Sequence, residues 1–210
     1  MHWWQGETLG QGIYIAGKIW IIALPIVWWL IWREPTPGPV RRDASGVGMG
    51  MLIGMLMAGV IVGGYFLIGT RLVDAEQVRA ISEANGLTDI RMFLAFALYL
   101  SFVNAFIEEV VWRWFVVSHA DRALGSGRTT LAIVIGGLAF TLHHTLALRL
   151  QMPWSATLLA SAGILLAAMV WSWMFLKYRT VWGAYISHIM ADLAVFVAAW
   201  HLIFGGESVA

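Results

Sequence analysis

Residues 104–113 read NAFIEEVVWR, in which two adjacent carboxylates and an arginine interrupt an apolar and aromatic run. A charged side chain inside a membrane costs about 2.5–3.5 kcal/mol on insertion scales, so acids in such a run indicate a functional site. In a helix, Glu109 and Arg113 share one face, and Glu108 points about 100° away, between Asn104 and Trp112. One carboxylate can therefore be neutralised by the arginine while the other stays free for chemistry. The alternative is a buried structural ion pair.

The whole chain is far more apolar than a soluble domain. Of its 210 residues, 60% are hydrophobic and 12% are charged, and the mean hydropathy is +0.76. Soluble domains are about 25% charged, so this composition predicts an integral membrane protein. The net charge of +1 argues against nucleic acid as a partner. The sequence contains no cysteine, which excludes disulfides, thiolate chemistry and cysteine-ligated metals.

Apolar runs of about 20 residues, the length that crosses a bilayer, predict about six membrane helices. We predict a single all-α integral membrane domain over residues 1–210, with the chemistry-bearing core at about 90–205. A polar segment within 70–91 predicts a short amphipathic helix at the membrane surface, ended by Asn85-Gly86. Thr88 or Asp89 should then cap the third span. The predicted spans are approximately 13–32, 45–68, 90–120, 129–148, 154–176 and 181–204.

Small residues recur every four positions in the second predicted span. They are Gly46, Gly50, Gly54 and Ala58. Such a stripe lets the backbone of another helix approach closely. We interpret it as a packing surface and assign it no chemistry.

Three predicted helices carry ionisable groups into the bilayer, where polar groups without a lipid-compatible partner should face one another. These groups are Glu108, Glu109 and Arg113 on the third span, His143 and His144 on the fourth, and His188 and Asp192 on the sixth. We therefore expect one shared site. Phe140 precedes His144 by four residues and can wall its imidazole. His188 and Asp192 have the same spacing, so the carboxylate can hold one ring nitrogen and fix the tautomer. His143 points about 100° from His144 and is interpreted as a bystander.

These residue types favour hydrolysis by an activated water. Ser101, Ser172 and Ser187 have no convincing base in reach, so covalent serine chemistry is disfavoured. A glutamate beside a histidine can act as a general base and later return the proton, and a second histidine can donate to an oxyanion. The set also suits zinc, but it lacks the His-Glu-x-x-His spacing of common zinc proteases, so metal is the minority interpretation.

At these residues the chain resembles the CPBP intramembrane proteases, named for CAAX proteases and bacteriocin-processing enzymes and also called ABI proteins. The family's motifs are Glu-Glu-x-x-x-Arg, Phe-x-x-x-His and His-x-x-x-Asn or Asp, matched in this order by Glu108, Glu109 and Arg113, by Phe140 and His144, and by His188 and Asp192. As in the family, one span separates the second motif from the third. The resemblance covers roughly the second half of the chain.

The resemblance implies a glutamic-type peptidase that works without a metal. By analogy, Glu108 and His144 activate the water, His188 and Asp192 stabilise the oxyanion, and a supporting pair, Glu109 and Arg113, holds the site together. CAAX-type members commonly carry Asn at the last position, and an ionised Asp cannot donate a hydrogen bond. Asp192 must then be protonated, or act behind His188 as its orienting group.

We therefore predict an intramembrane endopeptidase of a prokaryotic cytoplasmic membrane. Its expected partner is a membrane-tethered protein or peptide, with or without a lipid group, cut near its anchor in CAAX-type or C-terminal sorting-tail processing. No cofactor is expected. Two alternatives stay open: a non-catalytic membrane immunity or scaffold protein that uses the polar cluster for packing, and a zinc-dependent membrane hydrolase.

Overall fold

The computed structural model describes residues 19–20, 23–28, 30–31, 44–149 and 152–205. The chain divides into two compact units, residues 1–39 and 40–210, which are described separately. In the first unit the described residues are helical. Half of the predicted span 13–32 lies outside the described residues.

The second unit is built from helices, and its described residues contain no strand. Five of these helices are long and apolar enough to cross a membrane, which confirms the prediction of an all-α polytopic membrane protein. Helix α1 runs from Ala44–Gly64 and continues to Leu72, and the other helices are α2 (Ala75–Ala84), α3 (Ile90–Leu124), α4 (Thr129–Arg149), α5 (Trp154–Tyr178) and α6 (Trp182–Phe204).

Aspartates begin the two helices that follow α1. The Asp74 carboxylate accepts hydrogen bonds from the amides of Glu76 and Gln77 at 3.0 and 3.2 Å, and Asp89 accepts from Met92 at 2.9 Å. These contacts satisfy amides that have no partner within the helix. The cap of α3 is thus Asp89. Helix α2 ends where Gly86 takes a positive φ of 72°, a conformation that glycine adopts without steric penalty.

Helix α3 is not a regular α-helix. Residues Tyr99–Asn104 and Val110–Val117 form wider π-helical turns, and the α-helical turn Ala105–Glu109 lies between them. The two adjacent glutamates end this short turn. Because a π turn replaces i→i+4 bonds with i→i+5 bonds, it changes the direction in which the following side chains point. Such turns are rare in proteins overall, and many of those that occur lie at functional sites.

The glycine stripe of α1 packs on α6, as the small-residue pattern predicts. A Cβ at Gly50 would overlap the backbone carbonyl of Gly183, and a Cβ at Gly54 would press on Ser187 and Met190. The backbones of the two helices are therefore in direct contact. This contact fixes the first half of α6, and His188 lies within the contacting stretch, between Ser187 and Met190. A core cluster around Phe140, Trp171 and Met174 fills the space beside it.

Gly50→Ala is expected to lower the free energy of unfolding by about 1–3 kcal/mol, because the added methyl group must separate two backbones that cannot shift cheaply. The matched control is Gly48→Ala on the same helix, where an added Cβ meets nothing within 4 Å. The control should be neutral or stabilising, since alanine exceeds glycine in helix propensity by about 1 kcal/mol. Denaturant unfolding in detergent micelles measures both variants. Equal stabilities would contradict the packing assignment.

Candidate active site

The structure brings ionisable side chains from α3, α4 and α6 into one buried cluster, with Trp171 of α5 beside it. Glu108 lies at its centre. Its carboxylate is 3.5 Å from Nε2 of His143, 3.9 Å from Nε2 of His144 and 3.8 Å from Nε2 of His188. The sequence-predicted site residues on the three helices are therefore neighbours in space.

The two oxygens of the Glu108 carboxylate differ in their hydrogen bonding. Its Oε1 accepts a hydrogen bond from Nδ2 of Asn104, one turn earlier, at 2.9 Å. Its Oε2 is buried and has no hydrogen-bond partner among the described residues. The whole residue is 7% exposed. Since an unpaired buried polar atom is costly, Oε2 marks a position where a further group can bind.

Glu109 is the fully buried carboxylate of the cluster. It is 0% exposed, and its Oε2 lies 3.3 Å from Nε of Arg113. The Arg113 guanidinium lies over the rings of Phe140 and Trp171, at 4.4 and 5.2 Å from their centroids. The two aromatic faces add cation–π attraction to the ion pair. This geometry matches the expectation from the sequence that Arg113 neutralises one carboxylate, Glu109, and leaves Glu108 free of the arginine.

His188 is oriented by Glu109. Its Nδ1 lies 2.9 Å from Oε1 of Glu109, and its ring stacks on Trp171 with centroids 4.4 Å apart. Asp192 was expected to hold one ring nitrogen and fix the tautomer, but the carboxylate within hydrogen-bond distance of the ring is that of Glu109. Asp192 instead lies 3.6 Å from Nε2, the nitrogen that also faces Glu108. The motif spacing within α6 did not reveal this contact because Glu109 comes from another helix.

A backbone carbonyl of α4 determines which ring nitrogen of His144 carries the proton. Its Nδ1 lies 3.1 Å from the carbonyl oxygen of Phe140, so Nδ1 carries the proton and donates it to that oxygen. The Nε2 atom then presents a lone pair toward Glu108. The Phe140 ring lies against the imidazole, with centroids 4.4 Å apart, as the four-residue spacing predicts.

His143 also contacts the site, contrary to its interpretation as a bystander. Its ring stacks on Trp112 at 5.1 Å with an interplanar angle of 6°, and its Nε2 is 3.5 Å from Glu108. Adjacent histidines point in different directions from α4, but both reach the Glu108 carboxylate between them. The sequence feature that could have indicated this contact is Trp112, which lies four residues after Glu108 and stacks on the His143 ring. Trp171 was missed because it belongs to none of the motifs.

The cluster is open along one edge. His143, His144 and Asp192 have 26%, 28% and 27% of their side chains exposed, whereas Glu109, Arg113 and His188 are closed in. That edge is the part of the cluster that other molecules can reach. Donor atoms of Glu108, His143 and His144 all lie within 4.8 Å of one another, so these three residues are the described group that can hold a metal ion.

A family model for Rce1-like proteins, described as type II CAAX prenyl endopeptidase Rce1-like, matches residues 90–194. The match spans half of the chain and runs from the start of α3 into α6, so it includes all three motifs. The helical membrane fold and the family match thus define a membrane peptidase of the CAAX type. The chain belongs to the Rce1-like family. No curated protein and no solved structure matches it at a significant level.

Proposed function

We propose that this protein is an intramembrane endopeptidase in which Glu108 and His144 activate a water molecule. The observation that carries the proposal is the buried Oε2 of Glu108, which has no hydrogen-bond partner within the described part of the chain and faces Nε2 of His144 at 3.9 Å and Nε2 of His188 at 3.8 Å. These distances are too long for direct hydrogen bonds and suit a bridging water. This geometry supports glutamic-type chemistry with Glu108 as the base, His144 as its assistant and the nucleophilic water between them.

The reaction begins when the Glu108 carboxylate takes a proton from this water as the water oxygen attacks the peptide carbonyl carbon. His144 accepts a hydrogen bond from the same water through Nε2 and aligns its lone pair. The carbonyl oxygen becomes an oxyanion. Glu108 then gives its proton to the leaving nitrogen as the carbon–nitrogen bond breaks, which leaves a new carboxyl terminus and a new amine.

His188 is suited to stabilise the oxyanion. Its Nδ1 is occupied by Glu109 at 2.9 Å, so Nε2 is the nitrogen directed at the open part of the cluster. In its doubly protonated form, His188 donates to Glu109 through Nδ1 and to the oxyanion through Nε2. Arg113 and Trp171 support this arrangement by fixing Glu109 and the imidazole plane. Glu109 is thus a positioning residue in this proposal.

The substrate proposed is a membrane-anchored protein or peptide, cut close to its anchor. The family description names prenyl endopeptidases of the CAAX type, and the cluster lies on helices that cross the bilayer. A cleavage site near a lipid or a membrane helix is brought to this depth by the anchor itself. Processing of a CAAX-type tail or a C-terminal sorting tail in a prokaryotic cytoplasmic membrane fits this arrangement.

The test uses purified protein in proteoliposomes and a fluorogenic prenylated peptide with a CAAX-type terminus, before and after chelation of metals. Metal-free glutamic chemistry predicts cleavage that survives chelation. Cleavage that disappears on chelation and returns with zinc would favour the metal-dependent hydrolase. The absence of any cleavage of this peptide and of anchored protein substrates in cells would favour the immunity or scaffold alternative.

Asp192→Asn is expected to retain cleavage within about tenfold of the wild-type rate, because the amide keeps a polar contact to His188 and can donate to an oxyanion. Asp192→Leu is the matched comparison and should lose far more activity. Initial rates of both variants on the prenylated peptide measure the difference. An Asn variant as inactive as the Leu variant would show that the negative charge of Asp192 is required.

A further inference from the structure

The edge of the cluster formed by Glu108, His143 and His144 has the composition of a metal site. Two imidazoles and one carboxylate are a common donor set for zinc with an open coordination position. In a tetrahedral zinc site with bonds of about 2.0 Å, neighbouring donor atoms lie about 3.3 Å apart. Here Oε1 of Glu108 is 3.5 Å from Nε2 of His143 and Oε2 is 3.9 Å from Nε2 of His144, and donor atoms of all three residues lie within 4.8 Å of one another, so side-chain adjustments of about 1 Å would bring them to coordinating distance.

Two further observations point to a ligand at this position. The Oε2 atom of Glu108 is buried without a hydrogen-bond partner among the described residues, and the residue is 7% exposed. His144 donates its Nδ1 proton to the Phe140 carbonyl, the arrangement that fixes metal-binding histidines with Nε2 available. The stack on Trp112 holds the His143 ring beside Glu108. Both histidines are about one-quarter exposed, which gives an ion access.

His143 is the residue that separates this site from the proposed hydrolytic site. It lies outside the three motifs, because the second motif ends on His144. An ion bound here would occupy the Glu108 lone pair that takes a proton from the water and the His144 lone pair that accepts a hydrogen bond from it. The neighbouring carboxylate cannot replace Glu108 as the base, because Glu109 is fully buried and engaged by Arg113 and His188.

We propose that Glu108, His143 and His144 bind a divalent transition-metal ion, represented by zinc, and that the bound ion inhibits peptide cleavage. The inhibitory half rests on the proposed function, and the binding half stands without it. The ion competes with the proton for the same donor atoms. The protein would therefore be active in its metal-free form and reversibly switched off by zinc.

Calorimetric titration of Zn²⁺ into metal-free protein in detergent micelles tests the binding half. The wild-type chain should bind one ion at this site, and zinc should raise its thermal unfolding midpoint. His143→Asn should weaken binding by more than the roughly tenfold that loss of an outer-sphere partner costs. The control His119→Asn removes a histidine whose ring contacts the Phe115 carbonyl, and it should bind zinc as the wild type does. Failure of the wild-type chain to bind, or equal binding by His143→Asn, would overturn the site.

Cleavage of the prenylated peptide at increasing zinc concentration tests the inhibitory half. Wild-type protein should lose activity as the calorimetric site fills, and a chelator should restore it. The rate of each protein is normalised to its own zinc-free rate. The zinc concentration for half inhibition should then be at least about tenfold higher for His143→Asn than for the wild type. Activation by zinc, or full activity at saturation, would overturn the inhibitory role. Zinc binding without any cleavage by the metal-free wild type would remove the proposed function and leave the binding site standing.

Discussion

Replacing Glu108 with glutamine is expected to slow peptide cleavage by about 1000-fold, in the range that a general base contributes. The substitution keeps the shape of the side chain, and the amide oxygen can still accept the hydrogen bond that Asn104 donates to Oε1 at 2.9 Å. It removes the basic oxygen that faces His144 and His188. The rate loss should therefore occur without loss of folding, measured as initial rates and thermal unfolding of the same preparations.

Glu83→Gln is the matched control, because Glu83 is an exposed carboxylate on α2, away from the cluster. It should cleave at the wild-type rate. The thermal midpoint of Glu108→Gln should equal or exceed that of the wild type, since the change removes one of three clustered carboxylates. A Glu108→Gln variant that cleaves within a few-fold of the wild-type rate would rule out Glu108 as the base.

Arg113→Met is expected to lower the free energy of unfolding by about 3–5 kcal/mol, because it leaves Glu109 buried without its cation. Glu109 is 0% exposed and Arg113 is 1% exposed, so solvent cannot compensate. The change also removes the guanidinium from between Phe140 and Trp171. Equilibrium unfolding in mixed detergent micelles measures the effect. The control is Arg91→Met, an exposed arginine at the start of α3, which should change stability by less than about 0.5 kcal/mol.

A double variant separates the ion pair from the packing. Adding Glu109→Gln to Arg113→Met removes the uncompensated charge, and the pair should recover most of the lost stability because a buried ion pair can often be replaced by neutral groups at little cost. The two single effects should therefore be strongly non-additive. Simple additivity, or a loss below about 1 kcal/mol for Arg113→Met, would show that the pair is not coupled as its 3.3 Å contact indicates.

Much of the architecture was predictable because it depends on local patterns. Long apolar runs, the Asp89 cap and the Gly46–Gly50–Gly54 stripe each act within one helix or at its contact with a neighbour. The i,i+4 pairing of Glu109 with Arg113 is likewise local. These features gave the helix bounds to within a few residues and predicted that the α3, α4 and α6 groups would share a site.

The contacts that the sequence did not predict arise between helices. Glu109 reaches His188 across 79 positions of sequence, and no spacing within α6 could indicate that it would displace Asp192 from that role. His143 enters the site through its contacts with Glu108 and Trp112 of α3, which spacing within α4 does not indicate. The π turns on either side of Ala105–Glu109 also alter side-chain directions, and residue type alone does not indicate them.

Cleavage of membrane-anchored proteins through Glu108 is the function proposed for this chain. It is tested most directly by comparing the termini of membrane and secreted proteins in cells that carry either the wild-type chain or Glu108→Ala at matched expression. If Glu108 is the base, a defined set of new termini close to membrane anchors depends on the wild-type chain and disappears in the variant. Identical terminus profiles, under conditions where both proteins are folded in the membrane, would contradict it.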